Sequence, residues 1–298
     1  MVSGNTGALV LDEVAGGSTM DYTQIGGLGP EWQLEGDGAF LGNGNTGFLM
    51  WDGSSASPEY GALSVGEYVG GTALYTQIGA IGPEWQFEGN GALLGQSSDD
   101  FLLWDGSSAS PEYGSLTVGS VVDGEAQYSQ IGSVGPEWEF AGVGDYLGDG
   151  GAAFLMENST TAALVVGEDV NGAAQYTAVG ALGADWQFEG SGDLLGPGQA
   201  DFLVWNSSSA SPQYGALDVG EVTNGAVQYT QVGSVGPAWE FLGVGNYDGA
   251  SASEFLMKDT GTGALVIGTV AGGAATYQQV GGVGSEWNFH SANPATLV

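Results

Sequence analysis

The stretch Tyr75-Thr76-Gln77-Ile78-Gly79, followed by Gly82-Pro83-Glu84-Trp85, decides the fold because it returns along the whole chain. Its tryptophan has counterparts at Trp32, Trp138, Trp186, Trp239 and Trp287, and the six are spaced 53, 53, 48, 53 and 48 residues apart. Each stands ten residues after a tyrosine: Tyr22, Tyr75, Tyr128, Tyr176, Tyr229 and Tyr277. A fixed period of this size marks one supersecondary unit repeated in series.

Four short extended segments are readable within a unit. Trp85-Gln86-Phe87-Glu88 alternates apolar and polar, as a half-buried strand does. Phe101-Leu102-Leu103-Trp104 is a continuous apolar run, the pattern of a strand covered on both faces. Ser115–Gly119 and Tyr128–Ile131 alternate again, and Asp123-Gly124 or Asn171-Gly172 supplies the tight hairpin turn between such segments. No segment carries a capped 3.6-residue period. A four-stranded antiparallel sheet of 48–53 residues has the size of one β-propeller blade, so the expected fold is all-β, a six-bladed β-propeller.

The termini separate a closed ring from an open solenoid. Full repeats start near residues 32, 85, 138, 186 and 239. Residues 1–31, with Gly7–Leu11 and Tyr22–Ile25, read as the later strands of a sixth unit; residues 287–298, with Trp287-Asn288-Phe289, read as its missing opening strand. A solenoid ends in polar caps, whereas complementary half-units pair and abolish the exposed edge. The expectation is one propeller domain over residues 1–298 with a split blade whose second strand is stunted.

Composition narrows the function. The 298 residues include 35 acids against one cation, Lys258, for a formal charge of −34. With so few cations, nucleic acid and anionic membranes are not expected partners, and phosphoryl-transfer sites are unsupported. Cysteine is absent, so disulfides and thiolate chemistry are out, and a catalytic histidine would have to be His290, which follows the last strand and is expected on the surface. No run of about 18 apolar residues occurs, and Met1-Val2-Ser3-Gly4 lacks the charged and apolar regions of a signal peptide. Export would then use processing or a route that needs no such segment. With 42% apolar and 11% aromatic residues, the acids form a solvating coat on a folded ring, not a disordered tail.

The run Gly142-Val143-Gly144-Asp145-Tyr146-Leu147-Gly148-Asp149-Gly150-Gly151-Ala152-Ala153-Phe154-Leu155-Met156 resembles the G-x-G-D-F-x-G-D-G-x-x-D-F-L signature of bacterial FG-GAP/VCBS-type repeats. The resemblance covers nearly the whole chain. It implies an integrin-like propeller, secreted or on a cell surface, without enzymatic activity, serving adhesion or as a scaffold, with calcium often held in the acidic loop. Its partners would be an extracellular glycan, a protein surface or another copy of itself. Every loop here departs from that pattern. The third repeat keeps Asp145 and Asp149 but has Ala153 at the next acidic position; the fourth keeps Asp193 and Asp201 with Pro197 between them. The second offers Ala92, Gln96 and Asp100, the first Ala39, Asn43 and Gly47, the fifth Asn246, Ala250 and Glu254. Calcium takes roughly six to eight oxygens, so Asp145, Asp149, Asp193 and Asp201 are the candidate ligands, against the alternative that the loops are plain glycine-rich turns.

Repeats one, two and four are five residues longer than the others, the extra length falling in the segments Trp51 to Tyr60, Trp104 to Tyr113 and Trp205 to Tyr214; Glu157 and Lys258 replace the tryptophan of this expansion in the short repeats. A position that accepts Glu or Lys is expected to face solvent. Exposed Trp and Tyr beside Asp, Ser and Asn suit a lectin that stacks sugar rings, and packing of the Trp over its own loop is the alternative. The enzyme class that acids alone permit is a carboxylate-pair glycoside hydrolase, but the acids recur with the repeat instead of marking one blade. The Gly-Pro-Glu-Trp tryptophans, present in every unit, are expected to pack blade on blade.

Overall fold

The computed structural model describes residues 1–15, 19–247 and 252–289. They form six four-stranded antiparallel sheets arranged as a β-propeller. The second blade is typical: opening strand Trp85–Gly91, then Asp100–Asp105, Ser115–Val122 and Glu125–Ser133, hydrogen-bonded in that order. The hairpin before the last strand turns on Asp123 and Gly124, both at positive φ (53° and 82°), and Asn171-Gly172 and Asn224-Gly225 do the same. This is the primed turn that Asn-Gly and Asp-Gly favour.

The sixth sheet joins the two ends of the chain. Trp287–Asn288 pairs with Val2–Ser3, which precedes Ala8–Ala15 and Thr19–Gly27. Its second strand is only two residues long, as its shortened sequence requires. The split blade packs on both neighbours: Val14 and Met20 join Leu256, Leu265 and Ile267 of the fifth blade, while Leu9, Ile25 and Leu28 join Phe48 and Met50 of the first. The ring is closed. Residue His290 lies outside the described residues.

Apolar clusters straddle the seams between blades. One joins Phe40, Leu49, Leu63 and Ile78 of the first blade to Phe101 and Leu103 of the second, with Trp85 and Phe87 at its margin. Trp32, Trp138, Trp186 and Trp239 likewise join seam clusters, so these tryptophans of the five full repeats pack blade on blade. Within each complete blade a buried phenylalanine lies across a glycine of the third strand: a Cβ on Gly119 would collide with the Phe101 ring, and one on Gly167 with Phe154. The fourth-strand tyrosine completes the row, edge-on to the phenylalanine, with centroids 6.3 Å apart for Phe101–Tyr128 and 6.2 Å for Phe154–Tyr176. Such pairs add about 0.5–1.5 kcal/mol beyond burial. The tyrosine hydroxyl also reaches the preceding blade, Tyr229 donating to Ala181 O at 3.0 Å and Tyr75 to Gly27 O at 3.5 Å. The recurrent Tyr-x-Gln-Ile/Val-Gly is thus a blade-to-blade clasp, with the tyrosine of one blade resting near the glycine of the one before.

Candidate site at the seams between blades

Alternation along the strands gives every blade two faces. In the second blade Trp85, Leu103, Thr117 and Gln130 look back to the first blade; Trp104 and its cross-strand neighbour Gln86 look forward to the third. Each face contributes a different recess.

The backward face holds a groove. Between the first and second blades it has a volume of about 390 Å³ and is lined by the lead-in residues Ala80–Gly82 and by Trp85, Leu103, Ser115, Thr117, Tyr128 and Gln130, together with the exposed Glu112. Gln130 Nε2 donates to Ser115 Oγ at 3.0 Å. Tyr128 is about two-fifths exposed, and burial of the rest pushes its hydroxyl up to about 12, so it enters the groove as a neutral donor. The equivalent groove before the fifth blade, about 300 Å³, has Trp239, Met257, Tyr277 and Gln279 but Val266 where Thr117 stands. At that third-strand position the expanded repeats carry Ser64, Thr117 and Asp218, all buried, while the others carry Val10, Val165 and Val266. Asp218 Oδ1 has no hydrogen-bond partner, and burial raises its carboxyl. Its charge, with that of Glu157, adds to the burial that pushes Tyr229 up to about 12.

The forward face holds a slot, and the expansion tryptophans fill it. Trp51, Trp104 and Trp205 are half-buried, and each indole N–H donates to the lead-in loop of the next blade, at Ile81 O (3.3 Å), Val134 O (3.0 Å) and Val235 O (3.0 Å). Trp205 sits 6.1 Å from the Phe241 ring across its seam. The position is not solvent-facing: the ring spans the seam, and the rings of Trp51 and Trp104 also lie against the loop glycines Gly53 and Gly106 of their own expansions. The tyrosines of the expansion point elsewhere. Tyr60, Tyr113 and Tyr214 are each 41% exposed. Asp52 and Asp105, fully buried, brace the loop by accepting the N–H of Ser54 and Ser107 at 3.0 Å. The structure therefore splits each expected Trp/Tyr pair into a seam plug and a surface residue.

The loop carboxylates are largely taken up by backbone. Asp145 accepts the N–H of Asp149 (3.1 Å) and Gly150 (2.9 Å), and Asp149 accepts that of Gly151 (3.0 Å). Asp201 accepts Leu195 N–H at 2.8 Å through Oδ2, as Asp100 accepts Leu94 N–H at 2.8 Å. The second oxygen of each is buried without a partner, and burial holds the carboxyls up, Asp201 to about 7 and Asp100 to about 6. Asp193 lies near enough to Asp145 and Asp201 for their charges to interact, its own carboxyl raised first by burial. Among the described residues no three of His, Cys, Asp and Glu converge as a metal-holding group.

Sequence reasoning did not single out the groove. Its tryptophan reads from the sequence as a packing residue, and the residues that vary along the ring, Ser64, Thr117 and Asp218 against three valines, lie on a different strand. Their concurrence with the expansion was the available signal. No protein-family model matches the chain, and no curated protein sequence does. The fold and its seams define a ring-closed repeat propeller with recesses between its blades.

Proposed function

We propose that the protein is a non-enzymatic binding module, secreted or displayed on a cell surface, that engages a neutral glycan through the backward-face grooves of the expanded repeats. The observation that carries this reading is the groove itself: an aromatic floor of Trp85 and Tyr128 beside the hydroxyl of Thr117 and the amide of Gln130. An apolar ring face with a few fixed hydrogen-bonding groups is the chemistry of sugar recognition. Repetition around the ring makes such binding multivalent, so modest single-site affinity is multiplied. The near absence of Lys and Arg favours a neutral ligand over an anionic one.

A hydrolase reading draws less support. The burial-raised carboxyl of Glu189 recurs at Glu35 and Glu88, so it belongs to the repeat and not to one catalytic pair. Calcium is not needed for the reading, since the loop acids already close their turns on backbone N–H groups; a rise in melting temperature in millimolar calcium would restore it as a stabiliser.

A glycan array tests the proposal with two proteins: the parent, and the triple variant Ser64→Val, Thr117→Val, Asp218→Val, which gives the grooves of the expanded repeats the side chain found in the others. Binding by the parent and its loss in a folded triple variant are expected. A parent that binds no glycan, or a variant that binds as well, overturns it.

A further inference from the structure

The forward-face slot is plugged by tryptophan in three blades and left open after the third. There Glu157 occupies the tryptophan position, and a cavity of about 380 Å³ remains between the third and fourth blades. It is lined by Glu139, Phe140, Glu157, Trp186, Phe188 and Glu189. Glu139 and Glu157 are cross-strand partners, and the Glu139 charge adds to burial in raising the Glu157 carboxyl. Two like charges side by side on a sheet are unfavourable. The chain carries them here beside a third carboxylate and against aromatic faces.

The fifth blade shows what such a slot accommodates. Its equivalent pair is Glu240 and Lys258, again cross-strand partners, with Lys258 Nζ 3.1 Å from Glu240 Oε2. The chain's one basic side chain thus fills, in one blade, the place left open in another. We infer that the cavity between the third and fourth blades is a binding site for an organic ammonium group of the size of a lysine side chain, held by Glu139 and Glu157 against the aromatic rings of Trp186 and Phe188. Aromatic faces attract a desolvated ammonium, and the anionic field of the whole ring concentrates cations at its surface. The acids do not converge as a metal-holding group, so the slot suits a ligand that carries its charge on an alkyl stem. The site shares its seam and Trp186 with the fourth blade's groove, but its acids Glu139 and Glu157 come from the forward face of the third blade, which the glycan reading does not use.

The experiment is calorimetric titration at about 0.15 M NaCl, a salt level that suppresses diffuse attraction, with n-butylammonium, its neutral analogue n-butanol, and an Nα-acetyl-lysine amide. Two variants accompany the parent: Glu157→Gln, which removes the charge, and the double variant Glu139→Gln, Glu157→Trp, which installs the Gln–Trp pair of the expanded repeats. Saturable binding of n-butylammonium but not of n-butanol is expected, weakened at least about tenfold by Glu157→Gln and abolished by the plug. Equal binding of the lysine amide assigns the site to a protein side chain, and binding of n-butylammonium alone assigns it to a free amine. No saturable binding by the parent overturns the inference, as does binding that both variants retain. Melting curves of both variants establish that they are folded.

Discussion

The expanded repeats and the short ones share a frame and differ in what they do with it. In both, phenylalanine covers glycine and tyrosine clasps the preceding blade, as Phe101–Tyr128 and Phe154–Tyr176 show at nearly equal separations. The expanded blades add a tryptophan plug opposite glutamine, a polar third-strand residue in the groove and, at the bulge of the opening strand, a half-buried glutamate: Glu35, Glu88 and Glu189. The complete short blades have Ala141 and Leu242 at that bulge and a charged pair in place of the plug. Closing the ring fixes the residues that make the frame. The faces turned into each seam are free to diverge, and they have done so together.

The frame should break alike in both kinds of blade. Phe101→Ala and Phe154→Ala each remove a fully buried ring and should each cost ~3–5 kcal/mol in denaturant unfolding. A difference of more than about 1.5 kcal/mol between them, beyond the usual spread for volume changes, would show that the frame is not shared.

The slot should separate them. Trp104→Ala loses half-buried ring contacts and the bond to Val134 O, a cost of ~2–3 kcal/mol. Lys258→Ala removes a pair whose glutamate is 52% exposed and should cost no more than ~1 kcal/mol. Glu157→Ala should be neutral or stabilising, because it relieves the charge on Glu139. Equal losses at Trp104 and Lys258 would erase the distinction.

The last comparison is in pH. Burial raises the carboxyls of Glu35, Glu88 and Glu189 from their ordinary 4.5 to about 7. Folding thus favours their protonated form, and the stability they contribute is fully present below about pH 4.5 and is lost as pH rises through 7. The melting temperature should fall between pH 5 and pH 8, and the triple variant Glu35→Gln, Glu88→Gln, Glu189→Gln should flatten that fall. An unchanged slope in the variant would assign the pH dependence to the coat of surface charge instead.

Much of this molecule was legible in its sequence. The Trp and Tyr spacings gave the blade count, and the Asp-Gly and Asn-Gly turns gave the hairpins. The two half-units gave the closure that Val2 and Ser3 make with Trp287–Asn288. Each of these is a local or periodic property, and the chain carries six copies to average over. The candidate site was legible only in part. Strand alternation places Trp104 on the face opposite Leu103, but it does not say that a partner 30 residues further on, Val134, will accept its N–H. A tryptophan exchanged for Glu and Lys reads as exposed when the sequence is all there is. Across a seam the same exchange is plug, vacancy or ion pair, because the space belongs to two blades at once. The repeat and the periodicity of its strands determined the fold. Which residues meet, and which recess stays open, was decided by the packing of each blade on the next.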